Sequence, residues 1–478
     1  MVRVRGLETE YGLQVRVRPL DAASPVGWRR LSSDEASRVL FEPVVQANAA
    51  TSVFLRNGGR LYLDVGSHPE YATAECSTLA ELIAQDRAGD LILSRLAGRA
   101  REALAEQGLA ATIAIFKNNV DSHGNSYGSH ENFQVARTSS LEAMVQALVP
   151  FLTTRQLICG AGHWQRDRSG TGRFVLSQRA AHMWDPLGSG TTRSRPMVNT
   201  RDEPHADAQR FRRLHVIVGD STMLDHSTLL RVGSMELVLR AVEAGERFAG
   251  VQVPEPGRTI REVSTDLGGQ RAVTSAGHST LEVQRLCWQA AEAFVDDEEL
   301  AEVHRLWDGV LRALEDRAPE RLAGHVDWVA KHRLLQAQRA RHQLTDDDPR
   351  LAQLDLAWHD IVEGQGLARI SEQRGQVWHW LAPEAAHRAV DEPPSTTRAA
   401  LRSAFLTVAQ QYQREHQVDW MRFSCHDLAD GTVVVDDAST TRDQAVETLL
   451  GRMADEPRRA ASSSFATRRR SWGPSELG

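Results

Sequence analysis

The stretch that most constrains the fold is Arg60-Leu61-Tyr62-Leu63-Asp64, with Gly66, Pro69, Glu70 and Thr73 just beyond it. It alternates strictly. Successive side chains of a strand point to opposite faces, so Leu61 and Leu63 line a core while Arg60, Tyr62 and Asp64 project together into a cleft. Asn57-Gly58-Gly59 before it reads as a tight turn, and Gly66 with Pro69 ends the strand and returns Glu70 to the same space. Taken alone, such a strand also fits a sheet with one solvated face.

A second segment of the same kind makes the cleft the better reading. In Gly6-Leu7-Glu8-Thr9-Glu10-Tyr11, Glu8 and Glu10 share one face, with Leu7 and Tyr11 opposite. Acidic residues are depleted in strands, so a carboxylate pair there calls for a compensating partner, water or a cation. Two polar faces rich in oxygen ligands suit Mg²⁺, which takes a few carboxylates plus substrate phosphates and needs no dedicated cage.

Composition excludes several classes. The chain has 478 residues, enough for more than one domain, and a formal net charge of -7 that argues against a dedicated nucleic-acid binder. No apolar run approaches the roughly 20 residues needed to cross a bilayer. The opening Met1-Val2-Arg3-Val4-Arg5 has no signal-peptide apolar region, so a cytoplasmic protein without membrane contact is expected. Cys76, Cys159, Cys287 and Cys425 lie far apart, and neither a C-x-x-C pair nor an H-E-x-x-H motif occurs, which argues against disulfides and structural zinc. The P-loop, the kinase glycine loop and the G-x-S-x-G elbow are absent. A bound nucleotide would therefore lie on the sheet itself, with carboxylates holding Mg²⁺ and arginines holding phosphates.

Along the chain, Ser32 or Ser33 caps a helix to about residue 46, and a long amphipathic helix spans about 77–107, stopped at Gly108. Ser126-Tyr127-Gly128-Ser129-His130-Glu131-Asn132 is a polar cluster, and Ser139-x-x-Glu142 reads as a capping box. Arg193 to Arg213 is the most charged loop, stiffened by Pro196 and Pro204. Helical periodicity runs from 279 to about 314. At Pro393-Pro394 the composition changes, and a strand with Val418, Trp420 and Arg422 on one face follows a helix. The expected division is a catalytic domain over 1–392, a small α+β domain over 393–456, and a disordered tail over 457–478.

These residues match a known family. Gly6 to Gly12, Phe54 to Cys76, Phe116-Lys117-Asn118-Asn119, Ser126 to Asn132, Arg193 to Asp220, Gln353 to Ala357 and Val418-Asp419-Trp420 resemble the Pup ligases of actinobacteria. The likeness covers essentially the whole chain except its tail. It implies an α+β, glutamine synthetase-like antiparallel sheet cradle packed on helices. The activity it implies is ATP- and Mg²⁺-dependent formation of an isopeptide bond between the C-terminal glutamate of the modifier Pup and a lysine of a target protein, marking that protein for proteasomal degradation. Carried over by position, Glu8, Tyr62 and Glu70 bind metal, with Glu10 assisting. Arg60, Thr73 and Trp420 contact ATP, and Asp64 is the base. Leu7, Tyr11, Gly59 and Phe133 depart from the family's usual residues, and none of them carries one of these roles.

Three other readings stand beside this one. A depupylase or Pup deamidase has the same fold and an equivalent Asp, with an added loop for which Gly12 to Arg60 leaves little room. A divergent paralogue would transfer a phosphoryl or acyl group to another acceptor. An idle binding protein would hold Pup-like tails without chemistry, at the cost of unpaired carboxylates facing one cleft.

Overall fold

The sequence alternations become one twisted sheet. The computed structural model describes residues 3–21, 27–64, 66–138, 140–167, 169–190 and 195–457. Its main sheet has eight strands in the spatial order Met183–Gly188, Arg195–Asn199, Phe211–Val216, Ser129–Ala136, Arg5–Glu10, Pro69–Ala72, Arg60–Leu63 and Ser52–Phe54. Every neighbouring pair is antiparallel except the first, Met183–Gly188 with Arg195–Asn199, which runs parallel. The expected α+β cradle is thus present, with one parallel edge that the alternation did not indicate.

One face of this sheet is sealed by helices. Leu7, Phe133, Val135, Leu214 and Val216 join a core with the helices Leu141–Thr154, Asp225–Glu243 and Glu298–Glu315. Tyr11, Leu61 and Tyr71 join a second core with the helices Ser33–Asn48 and Leu79–Glu106. The Leu79–Glu106 helix starts at Thr78, whose capping box with Glu81 satisfies the first-turn amides. It lies directly on Tyr71 because Gly89 has no side chain; a Cβ there would collide with the tyrosine ring. The strand Gly12–Pro19 leaves the main sheet after Tyr11 and pairs instead with Leu109–Phe116.

Three local expectations are corrected. The helix expected over 279–314 is two, Thr280–Ala291 and Glu298–Glu315, because Asp297 accepts a hydrogen bond from Leu300 N at 2.8 Å and starts a new helix. Ser139 lies outside the described residues, and the cap of the following helix is Ser140, which accepts from Ala143 N at 3.1 Å. The strand expected through Val418, Trp420 and Arg422 is a hairpin of His416–Val418 and Arg422–Cys425. Asp419 Oδ1 accepts from Met421 N at 2.8 Å and Arg422 N at 2.7 Å, a side-chain-closed turn that puts Trp420 at the tip.

The hairpin and Thr432–Val434 form a three-stranded sheet, which packs with the helices Ala399–Gln411 and Gln444–Asp455 around a core of its own containing Phe405, Phe423 and Val446. The tail expected to be disordered falls, from residue 458 on, outside the described residues. All four cysteines are free and buried. No described helix is long and apolar enough to cross a membrane.

Candidate active site

Register assembles the site. Glu10 stands opposite Glu70, and Glu70 opposite Tyr62. Two residues along, His130, Glu8, Ala72 and Arg60 form the next row on the same face. Paired residues share a face, so the helix-free side of the sheet gathers three carboxylates, a phenol, an imidazole and a guanidinium. This side floors a cleft of about 880 Å³, lined by Glu8, Arg60, Tyr62, Asp64, Glu70, Thr73 and Trp420. The structure therefore brings all of the residues singled out from sequence into one hollow.

The carboxylates differ in their partners. Glu8 accepts from Asn132 Nδ2 at 3.0 Å, with His130 Nδ1 at 3.1 Å and Arg213 Nη1 at 3.5 Å. Burial pushes its pKa up, but the His130 hydrogen bond and the neighbouring cations outweigh that and hold it well below the carboxylate range. His215 is driven down to about 3 by burial and by His130, so at neutral pH it carries no charge. The interactions that keep Glu8 ionised are therefore those of His130 and Arg213. Glu70 behaves oppositely. Burial, then the charges of Glu8, Glu10 and Asp64, raise it well above the ordinary range against the hydrogen bond it accepts from Tyr62 Oη at 2.5 Å. Burial and the charges of Glu8 and Glu70 also raise the Tyr62 phenol, which stays neutral.

Asp64 lies one residue past the end of its strand. Its Oδ1 accepts from His68 N at 2.7 Å, and its Oδ2 lies 3.5 Å from His68 Nδ1, a charge contact at the limit of hydrogen bonding. Burial raises the Asp64 pKa, but these His68 contacts prevail and lower it, leaving an ionised carboxylate able to take a proton. The turn that sets it contains Ser67 in the left-handed region at φ 61, uncommon for a non-glycine residue. Ser67 Oγ is tied to Asp34 Oδ1 at 2.7 Å, at the start of the first helix. Glu10, Asp64 and His68 bring ligand atoms within 4.8 Å of one another, as do Glu8, His130 and His215.

The remaining singled-out residues sit around this centre. Arg60 donates to Ser52 Oγ at 2.8 Å, and its guanidinium lies 4.7 Å from the Tyr62 ring. Thr73 Oγ1 accepts from Leu7 N at 3.0 Å, which ties the Arg5–Glu10 strand to the end of the Pro69–Ala72 strand beside the cleft. Trp420 reaches the rim from the small C-terminal sheet, edge-on to Phe54 at 4.9 Å.

Sequence reasoning assigned no role to His130, Asn132, Arg213 or His215, although all line the cleft. Their signal was the same alternation. His130 and Asn132 interleave with Glu131 and Phe133, and Arg213 and His215 with Leu214 and Val216. At the far end Arg179 and Arg195 add positive charge beside Glu10. Burial, then Arg195, depresses the Arg179 guanidinium to about 10.

An open sheet that gathers carboxylates beside guanidinium and imidazole groups offers fixed charges of both signs to a ligand in the cleft, the kind of site an enzyme uses for charged substrates. The chain belongs to the Pup-ligase family, whose model, described as Pup-ligase protein, matches residues 3–424. Pup–protein ligase 1 of Rhodococcus erythropolis is 46% identical over 459 residues, which cover 94% of this chain and 99% of that one. A crystal structure of the complex between the prokaryotic ubiquitin-like protein Pup and its ligase PafA matches with a TM-score of 0.87 at 39% identity, over 95% of this chain and 93% of that one. The Pup ligase PafA in complex with ADP matches with a TM-score of 0.80 at 40% identity, over 91% and 97%.

Proposed function

We propose that the chain is an ATP-dependent Pup–protein ligase, joining the side chain of the modifier's C-terminal glutamate to a lysine of a target protein. The observation that carries this is the register that puts Glu8, Glu10, Glu70 and Tyr62 in adjoining rows with Asp64 at their edge, in a chain of this family.

A carboxylate is a poor electrophile. Transfer of the γ-phosphoryl group of ATP onto the glutamate side chain gives an acyl phosphate that an amine can displace. Phosphoryl transfer is catalysed mostly by positioning and charge neutralisation. In this reading Arg60, Thr73 and Trp420 hold the nucleotide, and Arg213 adds positive charge beside Glu8. The donor set fits Mg²⁺, because Glu8, Tyr62 and Glu70 offer hard oxygen atoms with Glu10 adjacent. Like charge on Glu70 from three neighbouring carboxylates is the imbalance that a cation corrects. Bound there, Mg²⁺ supplies neutralisation of the phosphate oxygens.

Lysine must attack as the neutral amine, which at pH 7 costs about 4.6 kcal/mol from its ordinary pKa of about 10.4. Asp64, held ionised by His68, accepts a proton from the attacking neutral amine as its nitrogen bonds to the acyl carbon, and phosphate departs. We assign the nucleotide-facing rim to the C-terminal unit that carries Trp420, place the boundary between the two units near Pro393, and expect a cytoplasmic protein acting on proteins rather than nucleic acid or membrane.

The test mixes the purified protein with ATP, Mg²⁺, Pup ending in glutamate and a lysine-bearing target. A covalent conjugate of the summed mass is expected. Cleavage of a supplied conjugate without formation of one would assign the chain to the hydrolytic branch, and neither reaction would leave a binding protein.

A further inference from the structure

Beneath the Trp420 rim lies a charged cluster that the reaction above does not use. Glu75 follows Thr73 by two residues, and its carboxylate meets two arginines of the C-terminal unit, Arg398 Nε at 2.9 Å and Arg402 through both terminal nitrogens. The arginine side chains are 1 % and 0 % exposed, and Glu75 keeps 12 %, at the wall of the cleft. Burial raises the Glu75 pKa, but Arg402 and then Arg398 hold it at about 2.

Arg402 ties three distant segments together. Besides Glu75, it donates to Gly58 O at 2.9 Å, in the turn before the Arg60 strand, and to Trp420 O at 3.0 Å. Its guanidinium also lies 5.0 Å from the Trp420 ring centre. The turn can approach because Gly58, at φ 82, has no side chain to strike Ala399. A planar, five-donor group suits such a junction, since it satisfies a carboxylate and two carbonyls in fixed geometry.

The geometry points to Glu75 and Arg402 as positioning residues that register the Trp420 hairpin against the strands of Arg60 and Thr73, and so set nucleotide affinity. This rests on the reading that Trp420 meets the nucleotide. Neither residue need touch the ligand. The carboxylate orients the guanidinium, and the guanidinium fixes the height and tilt of the indole.

The test is steady-state ATP kinetics on the full chain for Glu75→Gln, Trp420→Ala and the double variant. Glu75→Gln is expected to raise KM for ATP on the order of tenfold and to leave kcat within about twofold, the pattern of a lost binding contact that is the same in ground and transition states. The double variant is expected to show no greater KM than the worse single one, since both changes remove the same contact. Multiplying effects would mean that Glu75 acts on the nucleotide independently, and an unchanged KM in Glu75→Gln would mean that it positions nothing; either result overturns the inference. Should Glu75→Gln fail to fold, Arg402→Lys carries the same pair of measurements, because an ammonium keeps the charge but cannot span all three acceptors. If Trp420→Ala leaves KM unchanged, both the nucleotide reading and this inference fall. If Trp420→Ala raises KM and the two clamp variants do not, only the inference falls.

Discussion

Glu131 and Glu70 lie on opposite faces of one sheet and are treated in opposite ways. Glu131, on the helix-covered face, is held bidentately by Arg155 at 2.9 and 2.7 Å, with Arg231 at 4.0 Å. Glu236, behind the same sheet, is met by Arg3 at 2.9 Å and Arg5 at 3.5 Å. Glu70 is just as enclosed, yet its side chain accepts from a neutral phenol and faces three carboxylates. A buried charge without a partner is costly, and a fold keeps one where a ligand completes the balance. The difference sets Glu131 and Glu236, whose counter-ions the chain supplies, apart from Glu70, whose counter-ion must arrive in the proposed reading.

The largest expected effect falls on Asp64, at the edge of the unbalanced face. Asp64→Asn keeps an oxygen to accept from His68 N but cannot take a proton. Conjugation should drop by about 10²–10⁴, the usual range for a lost general base, with KM for ATP little changed. Single-turnover conjugation beside nucleotide titration separates the two. An equal fall in ATP affinity would make Asp64 a structural residue and blur the distinction between the faces.

Next in size is the scaffold side. Glu131→Gln strands the Arg155 guanidinium, and breaking a buried pair from one side costs about 3–5 kcal/mol. Chemical denaturation should show this loss whether or not Mg²⁺ or ATP is present. A loss that ligand restores would mean that Glu131 belongs to the site after all.

The alternation of Leu7 to Tyr11 and of Arg60 to Asp64 was enough to say which side chains share a face. The family resemblance added their expected roles. What alternation cannot give is register, and register chooses the partners. Glu8 meets His130 from 122 residues away, and Arg213 from a further strand. The same one-dimensional pattern misled at Trp420, where Val418, Trp420 and Arg422 alternate by composition while the Asp419 side chain closes a turn between them. It misled again across Asp297, where apolar spacing continued through a residue that caps a new helix. In both places one acidic side chain bonding to nearby backbone overrode a pattern spread over many residues.

A third prediction exchanges Glu70 for its neutral isostere. In the cation-free protein Glu70→Gln removes a group burdened by burial and by like charge, so stability should rise by about 1 kcal/mol, as is common when a strained functional residue is neutralised. Mg²⁺-dependent stabilisation should vanish in the same variant. Thermal melts with and without Mg²⁺ read both, and a destabilised cation-free variant would put Glu70 in the scaffold class with Glu131.

The smallest effect is a slope with pH, and its sign distinguishes Glu70 from Glu8. The Glu70 pKa is raised in the folded state, so between the ordinary carboxylate value and its own the unfolded chain holds fewer protons than the folded one. Stability of the cation-free protein should therefore fall as pH rises through that window, and the fall should be missing in Glu70→Gln. Glu8 is lowered in the folded state, so its contribution is present above the ordinary carboxylate range and is lost only as pH falls below it. Because a cation at Glu70 must displace a proton, Mg²⁺ affinity should rise with pH over the Glu70 window, with proton release visible when calorimetric titrations are repeated in buffers of different ionisation enthalpy. A Mg²⁺ affinity that stays flat as pH rises above the ordinary carboxylate range, with no proton released, would place the cation away from Glu70.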